Sequence, residues 1–318
     1  MFKKLLIFGI LILVLVFVFI SVGGGEKESK GVSIAREEKI PTNVLKITPA
    51  TDIYPPILHS SEYEKPAPLV GPINTAGAED SPFIPVDRDE LYFFFTPDVK
   101  VPPEKQLLDG VTGIYVSKNI GGKWQNAERV LLHNSKKLAL DGCEFGAGDK
   151  MWCLSAREGY TGIHWFTADY KDGKWTNWKN EVFKKEYETG ELHIFNDELY
   201  FHSARTGSKG GNDIWISKNI NGEWQEPQNI EAVNTESNEG WPYITVDGKE
   251  LWFNREYKGA PAIFRSKKVN EVWQTPELII SQFAGEPTLD KNGNIYFVHH
   301  FFKDSKMLEA DIYVVYKK

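Results

Sequence analysis

Beyond about residue 57, apolar and polar positions alternate in short runs, the period of half-buried strands rather than of helices. The stretch NEGWPYITVDGKELWFNREYKGAPAIFRSKKVNEVWQTP (238–276) predicts four of them. Two flank Asp247-Gly248, a third is AIFRS (262–266), and a fourth carries WQTP (273–276). Asp-Gly between alternating runs marks a tight hairpin, because such turns need positive φ.

The unit recurs. Trp124, Trp175, Trp224 and Trp273 are spaced by 51, 49 and 49 residues. Before three of them stand IYVSKN (114–119), IWISKN (214–219) and IFRSK (263–267). Further upstream stands a hairpin whose second strand is LYF (91–93), MWC (151–153), LYF (199–201), LWF (251–253) or IYF (295–297). Four strands in some 50 residues, five times over, predict an all-β, five-bladed β-propeller, in which each sheet covers its faces with its neighbours. The last unit ends at DIYVVY (311–316) without its Trp strand, whereas YEKP (63–66) matches WQEP (224–227) with no hairpin before it. The segment around 58–65 is therefore expected to supply the outer strand of the fifth blade.

The N-terminus breaks this pattern. Lys3 and Lys4 precede an apolar run over 5–20, so residues 1–22 read as a signal peptide or an uncleaved signal-anchor helix. The expected placement is single-pass in the cell membrane with the propeller on the extracytoplasmic side, or secreted if the segment is cleaved. Residues 23–48, rich in Gly, Lys, Glu and Ser, read as a flexible tether, leaving 49–318 to the propeller. The net charge of −7, with no basic stripe, disfavours nucleic acid.

The runs NT…EDSP…LYF…IYVSK…GKW (74–124) and NT…EGWP…DG…LWF (234–253) resemble the WD40-like propeller repeat of TolB-type proteins. The resemblance covers roughly residues 50–318 and departs in blades two and five, where Glu-x-x-Pro is missing or displaced. Members of that family include protein-binding and enzyme-associated propellers, so fold does not decide between them.

Candidate chemistry gathers at one channel mouth. Pairing across Asp247-Gly248 sets Glu239 opposite Glu256, with Arg255 adjacent. Glu79 and Glu188 take the matching first-strand position, and Glu191 and Glu286 follow three residues later, at the Pro position. Arg157 and Arg205 follow Ser-Ala at two second-strand ends. These groups form either a polar funnel for a sugar, peptide or acidic group, with Trp241 as a stacking surface, or a set of structural carboxylates bonded to backbone N–H and Arg. On blade three, Glu191, His193 and His202 share a hairpin face and are candidate metal ligands, or a polar patch between blades. His299 and His300 on blade five form a weaker pair. Cys143 and Cys153 lie on one hairpin: a three-residue turn sets them opposite for a disulfide, a two-residue turn at Gly148-Asp149 points them apart, and a buried free thiol is the alternative. No cofactor motif is present. The expected function is a binding module for a protein or glycan; the alternative is a glycoside hydrolase or lyase using paired carboxylates.

Overall fold

The structure, a computed structural model, describes residues 35–133, 137–181, 183 and 189–318. Five antiparallel blades follow one another, blades five and one being joined by a parallel bridge between Ala310 and Ala78. Blade one comprises Ala78–Phe83, Glu90–Thr96, Gly113–Ile120 and Glu128–Arg129. Blade two comprises Ala139–Ala147, Lys150–Arg157, Ile163–Lys171 and Lys174–Asn180. Blade three comprises Leu192–Phe195, Glu198–Ser203, Asp213–Ile220 and Gln228–Asn229. Blade four comprises Glu239–Ile244, Glu250–Tyr257, Ala260–Val269 and Glu277–Ser281. Blade five comprises Ala284–Leu289, Ile295–Lys303 and Lys306–Val315, completed by Ala67–Pro68. The first strand of each blade packs on the blade before it, and blade one packs on blade five. The described residues are almost entirely strand and turn; their helical elements are single turns at Arg36–Lys39 and Pro103–Gln106.

The recurring Trp is expected in the outer strand. Trp175 of blade two does sit there, within Lys174–Asn180, but the Trp residues of blades one, three and four do not. Trp124 and Trp224 close a two-residue hairpin onto the end of the third strand, and the outer strand begins four residues later. Ser117, Ser217 and Ser266 brace that hairpin by donating to the carbonyls of Gln125, Gln225 and Gln274. The ring then wedges against the preceding blade: Trp124 meets Tyr296 edge-on at 6.1 Å, and Trp273 meets Tyr200 at 6.4 Å. Tyr63 does the same to Trp252 at 6.2 Å and bridges Lys317. It is the wedge of blade five. The closing strand accordingly lies four residues on, at Ala67–Pro68 against Val314 and Tyr313, and this corrects the expected 58–65. Ile57–Leu58 instead adds a fifth strand to blade four.

Two N-terminal expectations change. Among the described residues no helix is long and apolar enough to cross a membrane, and residues 1–34 lie outside them. The single-pass membrane placement is corrected on that finding. Of the expected tether, residues 35–48 pack on the propeller: Arg36 is 3% exposed, and Lys46 pairs with Glu309 and Asp311.

Cys143 and Cys153 are free and buried, which corrects the candidate disulfide. The turn is the two-residue one, Ala147 pairing with Lys150, so Glu144 rather than Cys143 stands across from Cys153.

Candidate functional site

First strands from all five blades line a central cavity of about 50 Å³. In blades one, four and five the strand bulges there, with register shifts after Asp80, Gly240 and Gly285. The bulge residues Ser81, Trp241 and Glu286 have φ of 48°, 53° and 53°, each just before a Pro. Non-glycine residues rarely adopt such φ, and strain of this kind persists where the surroundings over-determine it, often at functional sites. Glu286, which precedes Pro287 as Trp241 precedes Pro242, takes the position of Trp241 rather than the expected Pro position.

The cavity is acidic. Glu144, Glu191 and Glu286 line it, Asp80 adjoins it, and no Lys or Arg is among its lining residues. Burial, then Asp80, pushes Glu191 up to about 8, against a pull from the Trp241 indole. Burial, then Asp80 and Glu191, raises Glu286 well above the usual carboxylate range. Glu144 is raised in the same direction by burial and by Glu191. It is 8% exposed, and neither of its carboxylate oxygens has a hydrogen-bond partner. Ser81 Oγ donates to Glu286 Oε2 at 2.6 Å, linking blades one and five across the wall.

Other candidates serve the scaffold. Glu79 accepts from the Thr75 N–H and hydroxyl and pairs with Arg36 at 3.0 Å; Glu239 accepts likewise from Thr235 and pairs with Arg255 at 2.7 Å. The residue across from Glu239 is Arg255, not Glu256, because of the bulge. Arg157 binds Asp141 and the Leu132 carbonyl and lies 3.8 Å over the Phe166 ring. Arg205 lies over Phe201 and Trp215. Glu188 is outside the described residues.

The expected metal trio is not assembled. His193 is packed between Phe145 and Tyr243, with ring centroids at 4.5 and 4.8 Å, and burial takes its pKa down to about 3. His202 Nδ1 accepts from the Trp241 N–H, and burial lowers its pKa to about 4. Among the described residues the group that brings three ligand atoms within 4.8 Å is Asp80, Glu286 and His300. Asp80 and Glu144 carried no sequence signal of their own: each adjoins a residue that draws attention first, Glu79 and Cys143.

Fold and site together define a five-bladed β-propeller with an acidic central cavity. No protein-family model and no curated protein sequence matches the chain. Solved structures do resemble it. An endo-arabinase from Bacteroides thetaiotaomicron VPI-5482 is 15% identical at a TM-score of 0.50, covering 78% of this chain and 96% of that one. GH43B of the Bacteroides ovatus xyloglucan locus is 15% identical, TM-score 0.48, over 79% of this chain and 54% of that chain. TolB from Acinetobacter baumannii is 14% identical, TM-score 0.42, over 76% and 55%. This chain spans about half the length of the latter two. At such identity the likeness is one of fold.

Proposed function

We propose that this chain is a binding module, a WD40-like propeller of the TolB type, that takes a protein or glycan partner on the face where its first strands begin. The supporting observation is the size of the central cavity. About 50 Å³ admits a few waters or an ion, whereas pockets that enclose small-molecule ligands run to roughly 300–1,000 Å³. A larger partner therefore meets the surrounding loops. Leu108, on the loop between the second and third strands of blade one, is 60% exposed, and Tyr160, on the equivalent loop of blade two, is 47% exposed. Exposed apolar and aromatic groups of this kind anchor interfaces.

One observation favours a glycoside hydrolase as the second reading. Glu191 and Glu286 come from different blades and are both raised, as a general acid at neutral pH requires. A panel of immobilised glycans and peptides, paired with turnover assays on aryl glycosides, separates the two. Saturable binding weakened by Leu108→Glu or Tyr160→Ala, with no turnover, supports the module. Turnover abolished by Glu191→Gln overturns it in favour of the hydrolase.

A further inference from the structure

We propose that Asp80, Glu286 and His300 form a binding site for a divalent cation of the zinc–manganese class beside the central cavity, whose lining Glu286 and Ser81 join. Their ligand atoms lie within 4.8 Å of one another, and His300 Nε2 stands 3.4 Å from Asp80 Oδ2. That separation is long for a hydrogen bond. It is the spacing of two donors on one tetrahedral ion, about 3.4 Å when each bond is about 2.1 Å.

Both carboxylates are oriented by one neighbour, and the other oxygen of Asp80 faces His300. The Ser81 N–H donates to Asp80 Oδ1 at 2.9 Å, and the Ser81 hydroxyl donates to Glu286 Oε2 at 2.6 Å. One residue thus orients two acids and commits one oxygen of each, the arrangement expected around a metal ligand. The Glu286 backbone is pinned in turn, its N–H donating to Asn254 Oδ1 at 2.8 Å. Independently, Glu144 opens on the same cavity, more than nine-tenths buried, with both oxygens unpartnered. A buried carboxylate without hydrogen bonds is costly, and a cation beside it, directly or through a bridging water, offsets that cost.

The donor set selects the ion. Calcium takes six to eight oxygens and magnesium keeps most of its waters, whereas imidazole with two carboxylates suits zinc or manganese. Because Asp80 and Ser81 belong to blade one and Glu286 and His300 to blade five, the ion would also tie the seam where the ring closes.

The test needs no glycan or protein partner, so its failure and that of the binding-module reading are separable. Full-length protein stripped with EDTA is titrated calorimetrically with ZnCl₂, MnCl₂ and CaCl₂, and its melting temperature is followed alongside. One equivalent of zinc or manganese is expected to bind and raise the melting temperature, with calcium weaker. His300→Gln and Asp80→Asn are each expected to weaken binding by about 100-fold or more, and Ser81→Ala by roughly 10–100-fold. His164→Gln, an alteration at a histidine outside the cavity, leaves binding unchanged. Should Asp80→Asn fail to fold, His300→Gln carries the test from the neighbouring strand. The proposal is overturned by no zinc or manganese binding up to about 1 mM, by unchanged affinity in a folded His300→Gln protein, or by a preference for calcium.

Discussion

The Asn74 side chain exchanges two hydrogen bonds with the backbone of Ile312, each 2.9 Å long, although 238 residues separate them. Asn234 makes the same pair with Ile214, both at 2.8 Å. In each case an Asn-Thr dipeptide leaving one blade staples that blade's third strand before the next begins. At Asn74 the staple also joins the two ends of the propeller.

Asn74→Ala is therefore expected to destabilise the protein by about 2–3 kcal/mol, since it orphans a buried N–H and a carbonyl. Asn234→Ala should cost a similar amount. Urea unfolding monitored by tryptophan fluorescence measures both, and a loss below about 0.5 kcal/mol would show that the staple follows packing rather than supporting it.

Glu239 offers a sharper separation of scaffold from site. Its carboxylate is fully buried, and it accepts from Thr235 and from Arg255. Glu239→Ala leaves that guanidinium without its anion, and breaking a buried pair on one side costs about 3–5 kcal/mol. Glu191→Gln removes no such partner and should leave stability at neutral pH within about 1 kcal/mol. Paired denaturation curves check the contrast. Equal losses would place Glu191 in the scaffold too.

These pairings show which features the sequence carried and which it hid. The fold was legible because Trp124 and Trp273 perform one physical task, wedging against the preceding blade, and so recur in step with the repeat. Tyr63 performs it too, which made the closure visible before the closing strand itself was placed. The bulges were not legible. A one-residue insertion at Ser81, Trp241 and Glu286 leaves the alternation almost intact, yet it turns Glu239 from Glu256 towards Arg255. The packing of residues 35–48 was hidden for a different reason. It rests on scattered contacts, the charged ones at Arg36 and Lys46 and the apolar ones at Ile40 and Ile47, and these have no period.

Acidity should stabilise the ring. Glu191 in the folded chain sits at about 8, against an ordinary carboxylate value near 4.5, because burial disfavours its charge. Asp311 is likewise raised to about 8 by burial, against the pull of Lys46. Below about pH 6.5 the protons on these carboxyls are offset by those that His193 and His202 hold only when unfolded. From about 6.5 to 8 both histidines are neutral in either state and the folded chain still holds the carboxyl protons, so stability falls as pH rises. Each such proton contributes a slope of up to about 1.4 kcal/mol per pH unit. Glu191→Gln is expected to flatten the profile over this window. A wild-type melting temperature that climbs steadily from about pH 6.5 to pH 8 would contradict the assignment.

The thiols give a direct readout of the core. Burial raises both Cys143 and Cys153 well above the ordinary thiol range, so neither presents a reactive thiolate. Ellman's reagent is expected to find no fast-reacting thiol in the native protein and two after unfolding in guanidinium without reductant. Two thiols missing in the unfolded, unreduced sample would reveal a bond that the register of this hairpin opposes.

Arg36 completes blade one from outside the repeat. In blade four, Arg255 pairs with Glu239, donates to the Val233 carbonyl at 2.6 Å and lies over Phe264. Blade one has Phe95 across from Glu79, where blade four has Arg255 across from Glu239. Arg36 supplies the missing guanidinium: it pairs with Glu79, donates to the Ile73 carbonyl at 2.6 Å and lies over Phe93, Phe95 and Tyr115. Arg36→Ala should therefore cost about 3–5 kcal/mol, as expected for a buried carboxylate stripped of its cation. Arg36→Lys should recover only part of this, because an ammonium cannot reach carboxylate and carbonyl with a planar fork. Hydrogen exchange locates the effect. Amides of Glu90–Thr96 and Gly113–Ile120 are expected to lose protection in Arg36→Ala while those of blade three keep theirs, and uniform loss across all blades would mean that Arg36 supports the ring as a whole rather than the blade it completes.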